Sequence, residues 1–145
     1  MIEGGKYKCS AYVRGRDTAP LNLIRRMEAL LNTDEQMGLT VVGQSQEVSS
    51  GRTLHRVGLT EALRTIRLGH ANAILVSDVL QLSDDKAVLL RILELMQDRY
   101  AVLICTNEDA YMHLHTMGLS QQLYQRSFAL KLGVPWAITD NLPTH

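Results

Sequence analysis

The alternation of strand-like and helix-like segments constrains the fold of this chain more than any other feature. Short apolar runs predict four strands, at residues 6–13, 39–43, 73–76 and 100–105. Segments with apolar residues at helical spacing lie between them, at 20–37, 59–68 and about 84–98. Parallel neighbouring strands need crossover connections, so this order predicts a parallel sheet covered on both faces. We therefore expect an α/β fold, a three-layer domain with a mostly parallel sheet of four to five strands.

The ends of the predicted helices carry the usual boundary signals. Pro20 suits the first turn of the first helix, Asp17 or Thr18 can cap it, and Gly38 ends it. The apolar face predicted for this helix consists of Leu23, Ile24, Met27, Leu30 and Leu31.

Three further segments are interpreted from composition. Asp84 or Asp85 can cap the helix that runs to about Asp98. Residues 44–55 have no apolar period and are rich in Ser and Gly, which predicts a long mobile loop. The segment 107–131 allows one or two helices, and residues 133–138 allow a last strand.

The charge balance argues against strong DNA binding by this chain alone. The 145 residues fit one domain, and their formal net charge is zero, whereas a protein that neutralises phosphates usually has a basic excess. The charge is uneven, with ten Lys/Arg against seven Asp/Glu in residues 1–72 and five against eight in residues 73–145. The basic surplus is either a set of solvated helix faces or one anion-facing edge.

Cysteine usage and hydropathy predict a cytoplasmic protein without a membrane partner. Cys9 and Cys105 lie in apolar runs, so buried reduced thiols are expected. The N-terminus does not resemble a signal peptide, and no apolar stretch reaches the ~20 residues of a membrane span. His113 and His115 have no third ligand at metal-binding spacing, so neither a metal nor a cofactor is expected.

The loops after the first three strands carry the informative residues, because ligands of parallel α/β sheets bind at the carboxyl ends of the strands. The first loop contains Tyr12 and Arg14, the second Ser50-Gly51 and Arg56-Val57-Gly58, and the third Leu82-Ser83. In this order and spacing, residues 6–106 resemble the N-terminal catalytic domain of the serine recombinases, the resolvase and invertase family. The resemblance implies a resolvase-like fold and, at Arg14 and Arg56, two retained arginines of the family's catalytic site.

The departures from the family pattern fall on the residues that carry its chemistry. Family members attack a DNA phosphodiester with a serine hydroxyl and form a covalent phosphoserine link, but Arg16 occupies the matching position here. Two further family arginines fall at Gln81 and Asp84, and an aspartate falls at Leu80. The resemblance thus implies a degenerate active site and a chain that is inactive in the family reaction.

Three functions remain open at this stage. The first is an inactive recombinase homologue that acts through dimerisation or through association with DNA or an active recombinase. The second is an active recombinase or nuclease that uses another hydroxyl, at Ser10 or Thr18. The third is an α/β module that binds a phosphorylated small ligand at Arg14, Arg16 and Arg56. In every case residues 1–145 are expected to form one domain without the family's C-terminal DNA-binding domain.

Overall fold

The computed structural model of the protein describes residues 7–16, 20–37, 39–123 and 128–131. Within these residues the chain alternates between strands and helices in the order β1 (Lys8–Gly15), α1 (Pro20–Met37), β2 (Thr40–Val48), α2 (Val57–Arg67), β3 (Ala73–Val76), α3 (Lys86–Gln97), β4 (Val102–Cys105), α4 (Ala110–Thr116) and β5 (Ala129–Lys131). Short 3₁₀ turns follow β3 and α4, at Val79–Gln81 and Ser120–Gln122.

The described strands form one parallel sheet of five in the order β2-β1-β3-β4-β5. The prediction of an α/β fold with a mostly parallel sheet is confirmed. The chain first moves outward from β1 to β2 and then crosses back to β3. Right-handed crossovers consequently place α1 on one face and α2, α3 and α4 on the other. The reversal lies between β1 and β3, so the carboxyl ends of these strands border the crevice where such sheets bind ligands.

Successive side chains of β1 and β3 lie on opposite faces of the sheet and belong to two separate apolar cores. Tyr12 and Ile74 pack on the side of α2, α3 and α4. Ala11 and Leu75 pack on the side of α1. All four residues of β3 are fully buried, as predicted for a central strand covered on both faces.

Helix α1 occupies the predicted residues but buries a narrower stripe than its pattern suggests. Leu23, Met27 and Leu30 lie in the core, whereas Ile24 is 46% exposed. A helix that packs on the sheet alone needs only its i, i+4 and i+7 positions, and Ile24 lies to the side of that line. The predicted cap at Asp17 or Thr18 and the stop at Gly38 lie outside the described residues.

The prediction of a long mobile loop at 44–55 is wrong in its first half, because β2 continues to Val48. This edge strand pairs with β1 from Thr40 through Val48, with a register irregularity opposite Cys9 and Ser10. Its side chains alternate between exposed and partly buried. An edge strand has one open side and tolerates polar residues such as Gln44 and Gln46, so apolar content could not reveal it.

The second half of the chain follows the predicted order closely. Asp85 caps α3, since its Oδ1 accepts hydrogen bonds from the amides of Ala87 at 3.0 Å and Val88 at 3.1 Å. The segment 107–131 contains α4, and it ends in β5, which the sequence did not predict. The predicted strand at 133–138 lies outside the described residues. None of the described helices is both long and apolar enough to cross a bilayer.

Both cysteines should resist modification in the folded protein. Cys9 and Cys105 are not joined in a disulfide, and both are fully buried. Burial raises the pKa of the Cys105 thiol well above its ordinary value, and the negative charge of Glu108 adds to the effect. The thiolate is the reactive species, so we expect almost no reaction with a thiol reagent at pH 8 and reaction of two thiols after denaturation. Rapid native labelling of Cys105 would contradict the closed packing around β4.

Candidate functional site

Two buried arginines lie together at the carboxyl ends of β1, β2 and β3. Arg14 is the penultimate residue of β1 and is 6% exposed, while Arg56 directly precedes α2 and is 5% exposed. Both side chains reach the 3₁₀ turn that follows β3. The structure thus brings together two of the three arginines that the sequence predicted to bind an anion.

All three guanidinium nitrogens of Arg14 donate to backbone carbonyls of the protein itself. Nε donates to the oxygen of Gln81 at 3.0 Å, Nη1 to that of Ser49 at 3.0 Å and Nη2 to that of Leu80 at 2.5 Å. The Arg14 amide also donates to Gln81 Oε1 at 2.8 Å. Burial lowers the pKa of Arg14, and the neighbouring Arg56 and Arg16 lower it as well. Arg14 therefore ties the loop after β2 to the turn after β3.

Gly51 is required where the loop passes over Arg14. Its φ of +78° is a left-handed conformation, and a Cβ there would lie 2.7 Å from Arg14 Cζ. Three hydrogen bonds hold the guanidinium, so it could move aside only by losing some of them. The glycine of the Ser-Gly sequence is therefore explained by packing against Arg14.

Glu47 is the carboxylate that organises the site. It projects from β2 and accepts hydrogen bonds from the Tyr12 hydroxyl and from the amides of Gly58 at 2.8 Å and Leu59 at 3.1 Å. These amides belong to the first turn of α2, and the side chain of the N-cap residue Arg56 makes no capping hydrogen bond. The carboxylate of Glu47, which lies on β2, thus caps α2. Its negative charge also interacts favourably with the positive end of the helix dipole.

Arg56 completes this cluster from the other side. Its Nη2 donates to the oxygen of Leu82 at 2.6 Å and to the Tyr12 hydroxyl at 3.2 Å. Nε lies 3.2 Å from Glu47 Oε2, which makes an ion pair, although the two groups are not aligned for a hydrogen bond. Nη1 is buried and has no hydrogen-bond acceptor among the described residues. Burial and the hydrogen bond to Glu47 raise the pKa of Tyr12, so this hydroxyl stays protonated.

Arg16 lies apart from the buried cluster and forms an ion pair with Asp84. The side chains are 60% and 31% exposed, respectively. These are two of the positions at which the resemblance predicts a departure from the family pattern, and the structure shows that their side chains contact each other. The positive charge of Arg16 is thus matched by the negative charge of Asp84 at the same edge of the sheet.

The serines of the site hold turns. Ser83 is fully buried and donates to the oxygen of Gly51 at 2.5 Å, while it accepts from the amide of Asp85 at 3.0 Å. Ser50 accepts from the amide of Arg52 at 3.3 Å. Ser10, a candidate substitute nucleophile, lies within β1 and is 2% exposed. The other candidate, Thr18, lies outside the described residues.

A cavity of about 420 Å³ opens beside the cluster, between α1 and the ends of β1, β3 and β4. Its polar lining residues are Arg26, Ser77, Asp78, Gln81, Thr106 and Asn107. Arg26 Nη1 donates to the carbonyl oxygen of Arg14 at 3.1 Å. Among the described residues no three His, Cys, Asp or Glu side chains are grouped as a metal site would require.

Sequence reasoning missed Glu47 because the residue fell in the segment interpreted as a loop. One signal was present, since Glu47 is the only charged residue between Gly38 and Gly51. A lone carboxylate in an uncharged stretch that precedes an apolar helix is consistent with a side chain that caps this helix from a separate strand. Only the parallel pairing of β1 and β2 shows that it meets Tyr12 and α2.

The chain matches the family model described as "Resolvase, N terminal domain" over residues 12–129. It therefore belongs to the resolvase family, and its resemblance to the serine recombinases is confirmed. None of the curated proteins matches the chain significantly.

Solved structures of serine recombinase domains share the fold. The N-terminal catalytic domain of TP901-1 integrase aligns with a TM-score of 0.66 at 20% identity, covering 79% of this chain and 92% of its own. The C-terminal catalytic domain of ISC1926 TnpA, an IS607-like serine recombinase, aligns with a TM-score of 0.63 at 20% identity, covering 79% of both chains. A resolvase family site-specific recombinase from Streptococcus pneumoniae aligns with a TM-score of 0.55 at 19% identity, covering 79% of this chain and 86% of its own.

Replacement of Gly51 should reveal how rigidly Arg14 is held. Gly51→Ala adds a Cβ against the fixed guanidinium, whereas Gly69→Ala, at φ +80°, meets nothing within 4 Å. In the Gly69→Ala control, the free energy of unfolding should fall only by the ~1 kcal/mol that a left-handed backbone costs an alanine. In Gly51→Ala it should fall by at least about 1 kcal/mol more, because of the clash with Arg14. Urea unfolding of both variants measures the difference. Equal losses of stability in the two variants would show that the Arg14 side chain moves aside.

Removal of the Glu47 charge should destabilise the domain strongly. Glu47→Gln leaves Arg56 buried without its counter-charge and weakens the cap of α2, at a cost of about 3 kcal/mol in the free energy of unfolding. Glu61→Gln, on the exposed side of α2, is the matched control and should change the stability by less than about 0.5 kcal/mol. If both variants unfold at the same urea concentration, Glu47 does not organise the site.

Proposed function

We propose that this chain is a serine recombinase homologue that does not cleave DNA and acts by association, as a dimer or with DNA or an active recombinase. The observation that carries the proposal is the ion pair of Arg16 with Asp84. By the resemblance, these two positions hold the nucleophilic serine and a catalytic arginine in the family.

Arg16 cannot take over the covalent step. Strand cleavage requires an oxygen nucleophile that loses its proton, forms a bond to phosphorus and displaces the sugar oxygen. A guanidinium stays protonated and has no lone pair available for attack. The pairing with Asp84 also directs Arg16 to a side chain of the protein rather than to a free phosphate.

The retained arginines are engaged inside the protein as well. The three nitrogens of Arg14 donate to protein carbonyls, and Arg56 Nη2 donates to the carbonyl of Leu82 and to Tyr12. Loss of one preorganised donor to a transition state typically costs about 3 kcal/mol. Gln81 and Asp84 add one neutral and one negative residue where the family pattern has arginines, so the losses accumulate.

A substitute hydroxyl is not supported by the geometry of the described residues. Ser10 is 2% exposed in the middle of β1, so a phosphodiester cannot reach it in line. The buried Ser83 uses its hydroxyl hydrogen in the bond to Gly51.

Association is supported by what the chain retains. The parallel sheet keeps the fold that serine recombinase domains share, and the ion pair of Arg16 with Asp84 keeps the strand-end surface charge-balanced. The zero net charge favours weak binding to DNA alone, so we propose that a second copy or a related recombinase supplies most of the contact.

The test combines an adduct assay with a measurement of association. A supercoiled plasmid that carries the DNA flanking the chain's own gene is incubated with the protein, denatured and examined for covalently linked protein. We expect no adduct for the wild type or for Arg16→Ala, and concentration-dependent self-association in sedimentation velocity. An active full-length serine recombinase with its own recombination sites serves as the positive control for adduct formation.

Two results would overturn the proposal. An adduct that disappears in Ser10→Ala or in Thr18→Val would identify an active enzyme with a relocated nucleophile. A strictly monomeric protein that also fails to bind DNA would remove association as its function.

A further inference from the structure

A second cavity of the described residues lies in a groove between α2 and α3. Its volume is about 600 Å³, within the range of ligand-binding clefts. Leu54, Leu63, Ile66 and Leu95 form an apolar floor, of which Ile66 is buried and the three leucines are half-buried. This groove, called the α2–α3 groove below, takes no part in the site described above.

The rim of the α2–α3 groove is basic. Arg64, Arg67 and Arg99 line it, whereas Asp98 is the only acidic residue in the lining. All three arginines are exposed, and none makes a side-chain hydrogen bond or an ion pair with a described residue. Three unpaired guanidinium groups around an apolar floor are complementary to a partner that is apolar on one side and acidic at its borders.

The residues beside the rim support a protein partner. Leu68 and Tyr100 follow Arg67 and Arg99 in the chain and are 52% and 82% exposed. Tyr100 has a φ of +57°, a left-handed conformation that ends α3 and usually requires Gly or Asn. Arginine and tyrosine are enriched where proteins bind each other, because both give a large contact area with polar groups at the tip.

From these observations we propose that the α2–α3 groove binds an acidic amphipathic helix of another protein. The apolar side chains of that helix, at i, i+3, i+4 and i+7, lie on the leucine floor. Its flanking carboxylates pair with the three arginines. Arg64 and Arg67 lie about one helical turn apart and so match acidic residues spaced by one turn on the bound helix. This site is independent of the function proposed for the strand ends.

The experiment uses the full chain and a synthetic probe. The probe is a fluorescein-labelled 16-residue peptide with leucines at i, i+3, i+4 and i+7 and glutamates beside them, and binding is measured by fluorescence anisotropy. A peptide of the same composition with scrambled leucine positions is the control for the probe. We expect binding of the first peptide only, and weaker binding as salt increases.

Charge-reversal variants locate the binding surface. The double variant Arg64→Glu with Arg67→Glu should weaken binding about tenfold or more, because two attractive contacts become repulsive. Arg25→Glu is the matched control, since Arg25 is exposed on α1 at the opposite face of the sheet and its replacement should leave the affinity unchanged. All these residues are exposed, so the variants should fold, which circular dichroism verifies.

Three outcomes would overturn the proposal. Equal weakening by Arg25→Glu would show unspecific attraction between charges. Binding of a small aliphatic carboxylate such as decanoate in the groove, without binding of the peptide, would make it a small-molecule site. Binding of a single-stranded oligonucleotide that depends on Arg64 and Arg67, again without the peptide, would make it a nucleic-acid surface.

Discussion

The hydrogen bonds of the Glu47 carboxylate hold together the residues at the carboxyl ends of the strands. It lies on the edge strand and reaches across to Tyr12 on β1 and to the amides of Gly58 and Leu59 at the start of α2. Arg56 adds the compensating charge and carries the connection to the turn after β3. A buried carboxylate is tolerated only when it is paired and hydrogen-bonded, so β1, β2 and α2 must come together in one arrangement.

The two buried arginines, which the resemblance places in the family's catalytic site, are both hydrogen-bonded within the protein. In the family pattern, Arg14 and Arg56 belong to a site that stabilises a phosphate. In this chain, Arg14 donates to three backbone carbonyls and Arg56 to Leu82 and Tyr12. Backbone carbonyls accept from all three nitrogens of Arg14, whereas Arg56 Nη1 has no acceptor among the described residues. Retention of Arg14 in the sequence is therefore compatible with a structural role.

Charge is distributed over the molecule in two distinct ways. At the strand ends, Arg56 pairs with Glu47 and Arg16 pairs with Asp84, while Arg14 donates to neutral backbone carbonyls. In the α2–α3 groove, Arg64, Arg67 and Arg99 have no partner among the described residues and border an apolar floor. The basic surplus of the first half of the chain is thus partly buried in the recombinase-like site and partly displayed on another face.

The sequence by itself determined the order of strands and helices and the family, because these follow from apolar periodicity and from short motifs in register. It placed β3 at Ala73–Val76 and allowed the cap of α3 at Asp85, since both depend on neighbours along the chain. It failed for the second half of β2 and for Glu47, where a polar edge strand looks like a loop. Only the tertiary structure decided which acceptors surround Arg14 and Arg56, that Arg16 faces Asp84, and that three arginines border one groove. These contacts join residues far apart in the sequence, and they depend on sheet pairing and helix packing that no local pattern encodes.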